Sequence, residues 1–218
     1  MQVFGIVKSM DSLQIGIFQI VVLIFSAVIH EVSHGFVANA LGDPTAKDMG
    51  RLTLNPLKHL EPFGSVILPA LLMLAKSPIL FAWAKPVPFN PLNLKDPKWD
   101  SARIAIAGPL SNFAIAIVFG LFLRFIPFGD NPAFALFPEL FAIIVFINIM
   151  LGVFNLVPIP PLDGSKLLFA FLGDSQREAM QFLEQNGLIL LLLFILFGFQ
   201  LIMPVINFLF RIITGLGM

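Results

Sequence analysis

Cysteine is absent from all 218 residues, which excludes disulfide bonds and thiolate metal ligands. A transition metal in this chain would need histidine and carboxylate. Charge is scarce as well: 12% of residues are charged and 58% are hydrophobic. A soluble domain carries about 25% charged residues, so too little polar surface remains to cover a globule in water. The formal net charge is zero and no basic block occurs, which excludes nucleic acid as a partner on electrostatic grounds. Repeats and low-complexity tracts are missing too. The first apolar run continues past any small-residue cleavage site, so a removed signal peptide is not expected.

Long apolar runs are what the chain has in abundance, and about 20 such residues span a bilayer. The expected fold is an all-α polytopic membrane protein in a multi-pass arrangement. Four to six transmembrane helices and short β-like or re-entrant segments form one domain over residues 1–218. Residues 13–41 read as one helix, stopped by Gly42, Asp43 and Pro44. "GRLTLNP" (Gly50–Pro56) alternates like a short strand, and "WAKPVPFNPLNLKDPKWD" (Trp83–Asp100) is Pro-rich and extended. Further spans are expected at 102–126, 135–157 and 186–203, with Pro204 kinking or ending the last before an apolar piece to about Ile213.

Gly64–Trp83 is apolar but carries Pro69, Lys76 and Pro78. If it crosses the membrane, Lys and Arg divide eight to five between the two sides; if it dips in and returns, they divide ten to three. Cytoplasmic loops hold the excess of positive charge, so the re-entrant reading with four spans and cytoplasmic polar loops is preferred.

Within the first helix stands "AVIHEVSHGF" (Ala27–Phe36). His30 and His34 are four residues apart, hence on one helical face, where two imidazoles chelate one Zn²⁺ at about 2.0–2.1 Å each. Glu31 lies about 100° around the helix, within reach of a reacting water. This is H-E-x-x-H, the zinc hydrolase pattern with glutamate as general base. A buried His–Glu cluster that only ties helices together is the plainer alternative. Three ionisable groups within five apolar residues are expensive without a cation, which favours the metal.

A catalytic zinc site needs a third protein ligand and one open position. His59, in "NPLKHLEP", lies in a polar loop and reads as a solvated or interfacial residue. Asp163 stands in "NLVPIPPLDGSK" (Asn155–Lys166), where prolines break a helix between apolar segments. Irregular backbone at membrane depth is tolerated where it is buried in protein or lines a cavity, which makes Asp163 the natural third ligand.

These residues resemble the site-2 protease family of intramembrane zinc metalloproteases. "HEVSH" matches its first motif, and "NLVPIPPLDG" its second, N-x-x-P-x-P-x-x-D-G. "AGPLSN" (Ala107–Asn112) is similar to the family's G-x-x-x-N element. "GDPTAKDMGRLTLNPLKHLEPFGS" and "WAKPVPFNP" resemble a compact prokaryotic subgroup without a PDZ domain. The likeness covers a catalytic core of about 13–172; residues 174–218, with C-terminal spans at about 186–213, match only as apolar helices, and Glu61 stands where Asp is commoner.

The resemblance implies one zinc per chain, held by His30, His34 and Asp163, with Glu31 activating water. It also implies a substrate that presents a transmembrane helix within the lipid bilayer of a prokaryotic cell. Asn112 and Asn155, amides in apolar helices, are candidates for holding the oxyanion or the unwound substrate, or else for cross-linking helices. An extended substrate segment pairs with a free strand edge, for which the two alternating stretches are candidates. A membrane zinc transporter is the main alternative, although transporter sites lie between repeated halves and no repeat is visible. A non-catalytic metal-binding scaffold is expected to have lost one of the four polar residues, and all are present. Association into a homo-oligomer is left open.

Overall fold

The structure, a computed structural model, describes residues 12–75, 84–128 and 134–216. Its first helix, α1 (Ser12–Ala40), is apolar along nearly its whole length. It stops where a stop is expected: Gly42 takes φ +106° and Asp43 N–H donates back to the Ala38 carbonyl at 2.9 Å. That left-handed backbone is open to glycine at no steric cost.

A polar layer follows. Helix α2 (Thr45–Asp48) leads to a single turn at Pro56–Lys58, capped by the Asn55 side chain, which accepts from Leu57 N–H. Glu61 likewise caps a wide turn, Pro62–Ile67, that runs into α3 (Leu68–Leu74). Six residues of wide turn and seven of α-helix reach about 20 Å at most, short of the roughly 30 Å hydrocarbon core. The described part of Gly64–Trp83 is therefore a short helix rather than a span; residues 76–83 lie outside the described residues.

Neither alternating stretch forms a strand, and no β-strand occurs among the described residues. Residues 84–90 form no regular element, and Lys85 N–H donates to the His59 carbonyl at 2.7 Å. Pro86 and Pro88 have no N–H with which to continue a ladder, so no strand pairing builds along this segment. Asp43 fastens it. Its fully buried carboxylate accepts from the backbone N–H groups of Thr45 at 3.2 Å and Asn90 at 2.6 Å, from the Asn93 amide at 2.7 Å and from the Thr45 hydroxyl.

Two long helices come next, α4 (Pro97–Phe125) and α5 (Phe137–Asn155). Asp96 caps α4 by accepting from Trp99 N–H, with Pro97 in the first turn. After a loop at 156–162 comes α6 (Asp163–Phe171), then α7 (Arg177–Leu193), which passes through a wide turn at Phe194–Gly198 into α8 (Phe199–Thr214). Pro204, expected to kink or end the last span, sits inside α8, and the irregularity falls at the wide turn before it. Local backbone adjustment of this kind is how helices in bilayers accommodate proline.

Four described helical stretches are long and apolar enough to cross a membrane: Leu13–Ala40, Pro97–Phe125, Phe137–Asn155 and Arg177–Thr214. The protein is a multi-pass membrane protein. Helix α5 is central. Ala142, Val145 and Ile149 pack with Ala116 of α4 and with Ile206 and Phe210 of α8, while Ile143 and Ile147 meet Ile15, Val22 and Leu23 of α1. Lipid is as apolar as these side chains, so close packing and buried polar contacts carry the assembly. Glycines permit the approach: Gly152 faces the Phe113 ring, Gly187 of α7 faces Pro160, and Gly164 lies against the Leu156 carbonyl.

That last contact leaves no room for a methyl group. Gly164→Ala is expected to cost about 1–3 kcal/mol by overpacking, read as a lower unfolding temperature in detergent. The Asp43 latch is sensitive to acid. Burial opposes its charge, but hydrogen bonds from Thr45, Asn93 and Asn90 outweigh burial and hold its carboxyl below the usual range. A depressed folded value means the latch contributes fully above the unfolded value of about 3.9 and is lost as pH falls through the folded one. Asp43→Ala should remove that acid-dependent step from pH-resolved thermal unfolding and expose residues 84–93 to faster hydrogen exchange.

Candidate metal centre

Helix α1 carries His30 and His34 on one face, with ring centroids 4.7 Å apart and the planes nearly perpendicular. The break at 156–162 brings Asp163, first residue of α6, to them from 133 positions away. Its Oδ2 stands 3.0 Å from His30 Nε2 and 3.2 Å from His34 Nε2, and all three residues are buried. One donor atom from each lies within 4.8 Å of the others, the only such group of three among the described residues. Donors held about 2.0–2.1 Å from one tetrahedral ion stand on the order of 3.3 Å apart.

Hydrogen bonds behind the rings decide what the front atoms are. His34 Nδ1 lies 2.7 Å from the Ile104 carbonyl of α4. A carbonyl only accepts, so Nδ1 carries the proton and Nε2 presents a lone pair. His30 Nδ1 lies 2.7 Å from Asn112 Oδ1 and donates to it, which likewise frees Nε2. Two lone pairs and a carboxylate oxygen thus converge on one point in an apolar interior. Left without a cation these three acceptors face one another at close range; a divalent ion satisfies all three together. The donor set fits zinc, which is commonly bound by a neutral Nε2 whose ring donates its Nδ1–H to a carbonyl or carboxylate behind it.

Gly108 of α4 completes the pocket. A methyl group there would stand 2.5 Å from Nε2 of both histidines, so only glycine leaves that wall bare. Its spacing to Asn112 puts the bare wall and the His30 acceptor one turn apart on α4. Glu31 is half-buried, and its Oε2 accepts from Val87 N–H in the segment before α4 at 2.7 Å. Arg51 holds the same segment by donating to the Lys85 carbonyl at 2.8 Å.

The other expected residues fall differently. Asn155 turns its amide back to the Leu151 carbonyl at 3.0 Å, one turn away on α5. Both ends of the Asn112 amide are engaged, Oδ1 with His30 and Nδ2 with Asn148. His59 is outside the triad but is not the solvated residue its loop setting suggested: it is fully buried and its Nε2 donates to the Thr53 carbonyl at 2.8 Å. Val87, Asn148 and the Ile104 carbonyl were not foreseen. A lone amide between isoleucines was the only signal for Asn148, and backbone groups have no signature.

Comparison with known proteins agrees with this geometry. The profile described as peptidase family M50 matches residues 18–129 and 126–199. Two similar proteins carry the description "Putative zinc metalloprotease". YwhC of Bacillus subtilis is 37% identical over 195 residues, covering 86% of this chain and 85% of its own. Rip2 of Mycolicibacterium smegmatis is 32% identical over 189 residues, covering 84% and 68%. An archaeal zinc metalloprotease, MJ0392 of Methanocaldococcus jannaschii, is 29% identical over 180 residues, covering 82% of this chain and 42% of its own. No solved structure matches. Matched along most of its length and holding its donors where that chemistry requires them, the chain belongs to peptidase family M50, the site-2 proteases, and is a zinc-dependent metalloendopeptidase.

Proposed function

We propose that this single-domain enzyme cleaves peptide bonds within or beside transmembrane segments of other membrane proteins, with Glu31 as general base. The carrying observation is the place of Glu31: next to a metal ligand, half-buried, and fixed by one oxygen to Val87 N–H. That bond sets the carboxylate's rotation and leaves Oε1 to take a proton. Depth supports the choice of substrate. His30 lies ten residues before the end of α1, about 15 Å along the helix axis, inside a span that lipid surrounds.

Zinc, when bound, supplies Lewis acidity: it acidifies water and polarises a carbonyl. Glu31 accepts the proton of the attacking water and then delivers it to the leaving amine. His30, His34 and Asp163 would hold the metal, and Gly108 keeps side-chain bulk away from both Nε2 atoms. Helical peptide bonds are shielded, so the substrate must unwind first. In this reading residues 84–90 receive it, their prolines keeping the segment extended and leaving carbonyls to meet the substrate's N–H groups. Asn155 ends α5, and in this reading its amide leaves the Leu151 carbonyl to hold the substrate or its oxyanion. The polar layer and α6 face the cytoplasm, where the ten-to-three excess of Lys and Arg belongs.

Glu31→Gln is expected to keep one zinc per chain while cleavage of a membrane-embedded model substrate falls about 10²–10⁴-fold. A zinc transporter would keep its function in that variant, so full retention of cleavage or its absence in the wild type sinks the reading. Orientation is checked separately. Reporters inserted in the loop at 49–50 and after 214 should report cytoplasm and the opposite side, respectively.

A further inference from the structure

Asn148 belongs to no motif, yet it is fully buried in α5 between Ile147 and Ile149. An amide in such a place must be paired. Its Nδ2 donates to the Ile144 carbonyl at 2.9 Å, and its Oδ1 accepts from Asn112 Nδ2 at 3.1 Å. Asn112 Oδ1 in turn accepts from His30 Nδ1 at 2.7 Å. The chain has a direction that follows from its far end. A backbone carbonyl has no proton to give, so the Asn148 NH₂ must face Ile144. That turns Asn148 Oδ1 toward Asn112, turns the Asn112 NH₂ toward it, and leaves Asn112 Oδ1 facing the ring.

We propose that Asn148 is a positioning residue of the metal centre: through Asn112 it holds His30 in the Nδ1–H tautomer and so keeps the Nε2 lone pair aimed at the ion. A mere cross-link between α4 and α5 has no preferred direction, because two amides pair equally well either way round. The two histidines reach one tautomer by separate routes, His34 from the α4 backbone at Ile104 and His30 from the α5 backbone through two amides. The inference rests on the zinc reading of the triad.

The test measures zinc affinity of the purified full-length protein in detergent by competition with a chelator. Wild type that binds no zinc overturns the zinc reading and the relay with it, whereas a loaded wild type isolates the relay. With wild type loaded, Asn148→Leu keeps the branched shape of the side chain but frees Asn112 to rotate, and affinity should fall about 10–100-fold, the usual cost of losing a hydrogen-bond partner behind a metal ligand. Asn112→Asp presents an acceptor oxygen in either rotation, so Asn112→Asp/Asn148→Leu should bind within a few-fold of wild type. Unchanged affinity in Asn148→Leu overturns the relay, as does a double variant as weak as the single one. Should Asn148→Leu fail to fold, Asn112→Asp alone decides: affinity equal to or above wild type supports the relay, and a tenfold fall overturns it.

Discussion

Two imidazole lone pairs and one carboxylate are held face to face inside an apolar bundle, and that convergence is the constraint on which the rest of the structure depends. Each group is costly at this depth and would be driven apart or protonated if left alone. A cation turns their mutual repulsion into attraction. The bundle must therefore supply directional support behind both rings and keep the front clear. It does the first with the Ile104 carbonyl and the Asn112 amide, and the second with Gly108.

Support for Glu31 is built differently from support for the ligands. The histidines are braced from α4 and α5, at the centre of the fold. Glu31 is braced from outside by Val87, in a segment that Asp43 and Arg51 hold down. Ligand geometry is thus a property of the packed helices, whereas the orientation of Glu31 depends on a layer fastened by a few polar bonds. Stability of this kind is uneven across a structure, and segments that admit a partner come from its weaker end.

Much of the centre was legible because its chemistry contradicts its surroundings. Histidine, glutamate and aspartate stand out in a chain with 12% charge, and a four-residue spacing reports a shared helical face without any tertiary knowledge. The four spans were legible from length and hydropathy. Strand-like alternation misled at Gly50–Pro56 and Trp83–Asp100, because period-two patterning says nothing about a partner and Pro86 and Pro88 deny one its donors. His59 misled because a polar loop can still fold over a buried ring. Asn148 stayed hidden since its importance lies in the direction of a hydrogen bond, a property of two helices at once.

The distance in sequence between the ligands has a consequence for biosynthesis. Asp163 follows His30 by 133 residues, across a polar layer and two complete spans. A nascent chain emerging with α1 alone carries His30, Glu31 and His34 but lacks the third donor of the triad. The triad is complete only when three spans are in place and α6 has docked, so the metal centre belongs to the assembled bundle and to no single span.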